Sequence, residues 1–255
     1  MKLKINKKLI ALTLAGVMLS LTGCGAEKEN NEVSIINEYN ETNYDKDLFK
    51  EIGVSDYIIE NEDFKNIIAE LKENNFNLYG TIINNDKIIG LVNENNEQSG
   101  AIICNTKDVV TMSYRLDNAE NYNYVEKDCT YEFDKTGKSI GSMITENYFD
   151  IKSGTIYTIT TTDDNLFMQA VTLRNENNQE LGISIGKPDG KTNLLIVNDL
   201  ELEIKDKDYK KIEKLMYKNG KENNFTDFPA DVINILDNYK VHEVDNIAYK
   251  KTIKA

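Results

Sequence analysis

The sequence predicts an α+β fold: a curved antiparallel β-sheet, a meander or half-barrel, packed with an N-terminal helix and two C-terminal helices. Three observations lead there. Between Phe76 and Lys205 apolar residues recur with period two, in short runs rich in Ile, Val, Thr and Tyr. Asn, Asp and Gly interrupt these runs about every ten residues, the spacing of hairpins laid side by side. On either side of this region the apolar period becomes helical, so strands and helices are segregated and do not alternate.

The first helical signal is "DKDLFKEIG", enough for one or two turns before Gly53. In "NEDFKNIIAELKEN", Phe64, Ile67, Ile68 and Leu71 fall at i, i+3, i+4 and i+7. Asn61 is placed to cap that helix, and Glu62 and Asp63 favour the positive end of its dipole. The strand runs follow: "NLYGTII", "KIIGLVN", "SGAIICN", "VVTMSYR", "YVEKDCTYEFD", "SIGSMITEN", "GTIYTITTT", "LFMQAVTL", "LGISIG" and "TNLLIVNDLELEIK". The last shows the cleanest alternation, with Leu200, Leu202 and Ile204 set for the core and Glu201 and Glu203 for water. Next, "DKDYKKIEKLMYKNG" puts Tyr209, Ile212, Leu215 and Met216 on one helical face, with Gly220 in the position of a C-terminal cap residue. "DFPADVINILDNY" begins with an Asp227 cap and Pro229 in the first turn; Val232, Ile235, Leu236 and Tyr239 share a face. A final strand, "NIAYKKTI", has the lysines that suit a sheet edge.

The amino terminus has its own logic. "MKLKINKK" carries Lys2, Lys4, Lys7 and Lys8 and no acid, and the run from Leu9 to about Leu21 is apolar. That run is shorter than the ~20 residues a membrane span needs, and the layout is that of an export signal. It ends in Leu21-Thr22-Gly23-Cys24 and passes at once into polar, acidic sequence. This segment resembles the lipobox of bacterial lipoproteins. The resemblance implies cleavage before Cys24, a diacylglyceryl group on its thiol, and anchoring to the outer face of the cell membrane; two acyl chains suffice for stable attachment. The implied organisation is residues 1–23 as signal peptide, 24–44 as lipidated cysteine and acidic tether, and 45–255 as a single α+β globular domain. A plain secretory signal is the rival, but no small-x-small cleavage site is evident. The abundance of Asn and Lys over Arg fits an AT-rich genome, and with the lipobox a Gram-positive source.

The formal charge is −13, and removal of residues 1–23 takes it to about −17. Such a chain is a poor partner for nucleic acid, which is held by basic patches. The same average charge leads to the expectation that the body stands off an anionic membrane on its tether. Cys104 and Cys129 both fall in strand-like runs. They permit a disulfide in an exported domain; the alternative is two free thiols acting as small hydrophobes.

Catalytic signals are thin. The one histidine, His242, is formally a base for Ser139, Ser142 or Ser184, but nothing like GxSxG surrounds those serines. No HExxH, CxxC, EF-hand series or P-loop occurs, so no cofactor or metal is expected. Carboxylate pairs such as Glu132 with Asp134, or Asp163 with Asp164, read first as strand-edge and turn acids, with glycoside chemistry as the sharper alternative. The tyrosines Tyr114, Tyr122, Tyr124 and Tyr131 read first as half-buried strand residues, with a protein or carbohydrate contact surface as the alternative. The expectation is therefore a membrane-anchored, non-enzymatic lipoprotein that supports a cell-envelope partner protein or binds an apolar ligand. The alternatives are an exported cell-wall hydrolase using carboxylates and a lipid carrier with a concave sheet.

Overall fold

The computed structural model describes residues 46–239, apart from 84–85, 96, 118, 120, 164, 175–179 and 199. Cys24, His242, Asp164 and the run "NIAYKKTI" lie outside the described residues. Three helices lead: α1 (Lys46–Glu51), α2 (Asp56–Ile59) and α3 (Glu62–Glu73). Eleven strands follow: β1 (Asn77–Ile83), β2 (Asp86–Val92), β3 (Gln98–Thr106), β4 (Val109–Asp117), β5 (Tyr124–Phe133), β6 (Ser139–Asp150), β7 (Thr155–Thr162), β8 (Asn165–Arg174), β9 (Glu180–Gly186), β10 (Leu194–Val197) and β11 (Leu200–Glu203). They form one open antiparallel sheet in simple sequence order, β1 to β11. Helices α4 (Asp206–Glu222) and α5 (Phe228–Leu236) close the described chain, with a short 3-10 turn at Asp237–Tyr239. No helix among the described residues is long and apolar enough to cross a membrane.

The α+β class and the meander follow from the turn chemistry. Asp163 and Asn198 adopt the left-handed conformation between β7 and β8 and between β10 and β11, where two-residue connections require positive φ. Asn198 therefore cuts "TNLLIVNDLELEIK", written above as one run, into the β10–β11 hairpin. Gly137, at φ 81°, turns β5 into β6 so close to α2 that a methyl group there would overlap the Tyr57 carbonyl. Two elements differ from the sequence reading. The single turn α2 has too few residues to display a period. β6 runs three residues past "SIGSMITEN", through Tyr148, Phe149 and Asp150.

The core is divided. Residues directly opposite across an antiparallel pair share a face. Tracing the register from Ile102 through Met112, Cys129, Ile144 and Thr161 follows one face of the sheet. On that face, helices α1–α3 bury Phe49, Ile58, Phe64 and Ile68 against Ile89, Leu91, Ile102 and Met112. Val171, Ile183, Ile185 and Leu195 lie on the same face, reached from Tyr148 through Tyr157, and there α4 and α5 bury Ile212, Met216, Phe228 and Val232. The opposite face carries no helix among the described residues.

The caps explain where the helices start. The Asn61 side chain accepts from the Asp63 amide at 2.9 Å, the expected cap of α3. Its amide group also donates to the Thr136 carbonyl at 3.2 Å, which fixes the β5–β6 turn to the helix. Asp227 holds the N-cap position of α5 but makes no side-chain cap bond. Gly220 is a correction: it lies inside α4, and Asn223, in the left-handed conformation, ends the helix. Gly220 is there because the Tyr157 ring presses against its Cα, leaving no room for a side chain.

Candidate functional site

The place where the two cores meet is the central strip of the helix-bearing face, on β5–β7. Along β6, Ile144 packs against the N-terminal core and Tyr148 against the C-terminal core. Glu146 stands between them. Its Oε1 pairs with Lys127 Nζ at 2.9 Å and its Oε2 accepts from the Tyr148 hydroxyl at 3.1 Å. The side chains of Lys127 and Glu146 are only 22% and 25% exposed. Burial alone would lower the Lys127 ammonium, but the hydrogen bond and charge of Glu146 outweigh it and hold the ammonium above its ordinary range. This ion pair was missed at the sequence level, although a signal exists. Val125, Lys127, Cys129 and Tyr131 share the inward positions of β5, and a lysine among them breaks the apolar alternation.

The helix-free face has a different chemistry. Hydroxyl groups run across it in mutually bonded pairs: Thr111 with Thr130 at 3.1 Å, Thr145 with Thr160 at 3.1 Å, and Thr158 donating to Asn147 at 2.8 Å. Ser113 donates to Asp128 at 2.7 Å. Burial raises the Asp128 carboxyl above the usual aspartate range, against that hydrogen bond. Glu126, two residues along on the same face, is raised by burial and then by the Asp128 charge. At one end of the face, Tyr124 and Phe149 stack at 4.5 Å, and the Arg115 guanidinium lies 3.9 Å over the Tyr124 ring. These rings are partly exposed; of the hydroxyls, Thr111 and Thr160 are buried and Thr130, Thr145 and Thr158 half-buried, and Met143, Ile156 and Met168 share the face.

The residues singled out for chemistry are dispersed. Ser142 meets Asp163 through backbone–carboxylate and backbone–backbone bonds at 2.9 and 3.1 Å, a turn-holding pattern. The Ser139 amide donates to Asp63, tying β6 to α3. Ser184 sits on the helix-free face, opposite Ala170. Asp134 is held low by the Thr136 hydroxyl and the amides of its own turn, so it is a turn carboxylate and not a raised acid. No group of three or more metal-ligating side chains occurs among the described residues. Cys104 and Cys129 are both free thiols. They stand on β3 and β5 with β4 between, two strand spacings or about 9–10 Å apart, whereas a disulfide needs Cα atoms within ~7 Å. Burial pushes the Cys129 thiol up to about 12, which keeps it an unreactive packing group. Tyr114, Tyr122 and Tyr131 are buried on the helix side, and Tyr124 belongs to the helix-free face.

The chain matches no family model, no curated protein and no solved structure.

Proposed function

We propose that this protein is an extracytoplasmic lipoprotein, acylated at Cys24, that works by binding and not by turnover. Its helix-free sheet face is the surface offered to a cell-envelope partner protein. The observation that carries the reading is the one-sidedness of the sheet. All five α-helices of the described residues serve one face, while the other carries partly exposed aromatic rings and carboxylates beside hydroxyl pairs of which Thr130 and Thr145 are half-buried and Thr111 and Thr160 buried. A broad polar-aromatic platform of this kind suits a protein interface, where Tyr and Arg supply anchors inside a polar rim. A separate observation counts against the carboxylate hydrolase at the acids singled out for it: Asp134 and Asp163 are engaged in turns.

Two measurements test the reading separately. Intact mass spectrometry of the protein from its native membrane should show a diacyl mass on a chain starting at Cys24, lost in Cys24→Ala. An unmodified chain would remove the anchor. Photo-crosslinkers placed in living cells at Thr158 and Thr172, on the helix-free face, should trap one and the same protein. A control crosslinker at Asn66, on α3, should not. Equal trapping from both faces, or none, would remove the platform.

A further inference from the structure

The net charge of −13 is not spread evenly, and α4 is where it fails as a description. This helix carries Lys207, Lys210, Lys211, Lys214, Lys218 and Lys221 against four acids. Lys207, Lys211, Lys214 and Lys218 step at i, i+4, i+7 and i+11 and are all exposed. At 3.6 residues per turn they lie within an arc of roughly 60°, diametrically opposite the buried Tyr209, Ile212, Met216 and Gly220. No ion pair holds these four among the described residues. One acid, Glu222, stands a turn beyond Lys218 at the C-terminal end of the stripe, and the others lie to its sides. Asp206 pairs with Lys210 at 2.9 Å, and Asp208 accepts from the Tyr239 hydroxyl at 2.6 Å. Apolar surface flanks the lysines: Tyr217 is 46% exposed beneath Lys221, whose ammonium is 4.5 Å from the ring centroid. Ile151, at 68% the most exposed large hydrophobic among the described residues, projects from the β6–β7 turn. That turn lies at the C-terminal end of α4, because the Ile151 amide donates to Asn123 and Asn121 donates to the Lys221 carbonyl.

We infer that the outward face of α4 docks on the anionic phospholipid surface of the membrane that carries the protein. The inference rests on the lipoprotein reading for its location. Charge complementarity selects the occupant: a lysine row with a tyrosine beside it matches phosphate headgroups, with the ring at the level where tyrosine partitions. Each lysine close to an anionic surface contributes roughly fivefold in affinity at moderate salt. Reach is sufficient, since the 22 residues from 24 to 45 can span at most about 75 Å. Docking through α4 would hold the body against the bilayer by one helix, where the average charge alone had it standing off.

The test uses the mature chain, residues 24–255, carrying Cys24→Ala, so that neither an acyl group nor the basic, apolar export signal contributes. It is compared with the same chain also carrying Lys207→Gln, Lys211→Gln, Lys214→Gln and Lys218→Gln. Circular dichroism confirms that both fold; the four side chains are exposed and glutamine keeps the helix propensity. Flotation with phosphatidylglycerol-containing vesicles and with pure phosphatidylcholine vesicles gives the readout. The lysine chain should prefer phosphatidylglycerol, lose that preference in high salt, and bind at least about tenfold more tightly than the glutamine chain. Equal binding to both vesicle types, or no change in the glutamine chain, overturns the proposal. Capture of soluble polyphosphate in preference to vesicles also overturns it, by assigning the stripe to an anionic polymer. Because acylation is absent by design, a missing acyl mass at Cys24 in the native membrane would remove the anchor without touching this result.

Discussion

The two ends of the sheet bury similar amounts of side chain in different ways. At the N-terminal end the buried centre of the contact is dry and aromatic, Phe49 meeting Phe64 at 5.1 Å and Phe64 meeting Phe133 at 5.8 Å, both edge to face, and hydrogen bonds tie helix to sheet at its rim, from Ser55 to the Lys107 carbonyl and from Asn61 to the Thr136 carbonyl. At the C-terminal end the contact is hydrogen-bonded. The Tyr157 hydroxyl donates to Gln169 at 2.5 Å, Gln169 donates to the Glu213 carbonyl at 3.3 Å, and the Tyr122 hydroxyl donates to the Gly220 carbonyl at 2.5 Å. At the first end the hydrogen bonds lie at the exposed rim, where water can replace a lost partner. At the second they are buried, and each polar atom is costly once its partner moves. The polar contacts of the C-terminal end are thus the costlier to break, and it is the end that carries the lysine stripe.

The largest effect is expected from Phe64→Ala. Removing a fully buried ring from the dry end should lower stability by about 3–5 kcal/mol in denaturant unfolding. Gly220→Ala should follow at about 1–3 kcal/mol, since the added methyl meets the Tyr157 ring and the helix must lift. On an exposed helix the same change would stabilise, so the sign of this result tests how closely α4 sits on the sheet. Tyr157→Phe strands the Gln169 carbonyl oxygen, at about 1–3 kcal/mol. Adding Gln169→Leu should recover part of that loss, as replacing both partners removes the unpaired group. Additive losses in this double-mutant cycle would mean that the network does not bind the two layers together.

The fold was readable where a period had room to show itself. Phe64, Ile68 and Leu71 announce α3, and the Asn and Asp turns announce the meander, because each rests on local chemistry. The role of Gly220 was not readable: its neighbour Tyr157 is 63 residues away, and a glycine near the end of a helical run has the same local appearance as a cap. Cys104 and Cys129 posed the same problem, since their separation depends on β4 lying between them. The lysine stripe could have been found, because its spacing stands in "DKDYKKIEKLMYKNG" from the start. The average charge hid it.

The helix caps repeat the contrast on a smaller scale. Asn61→Ala removes both the α3 cap and the bond to Thr136, and should lower stability by about 1 kcal/mol. Asp227→Ala should change it by less than about 0.5 kcal/mol, because that side chain caps nothing. A large loss at Asp227 would show that α5 depends on its charge near the helix start.

The smallest effect belongs to neither end but to β5, which crosses between them. Asp128 keeps its proton to higher pH in the folded chain than in the unfolded one, because burial disfavours its charge. The folded state therefore binds more protons between the ordinary aspartate range and the raised value. Stability falls as pH rises through that window, and above it the loss is complete. Asp128→Asn cannot ionise and keeps an oxygen for the Ser113 hydroxyl. It also removes the charge that helps to raise Glu126. The variant should melt above the native chain at pH 7, with the gap closing as the pH falls toward the ordinary aspartate range. A gap that stays constant with pH would mean that Asp128 titrates alike in the folded and unfolded chains. The helix-free face would then be as well solvated as any surface, and its fitness to shed water against a partner would lose its physical basis.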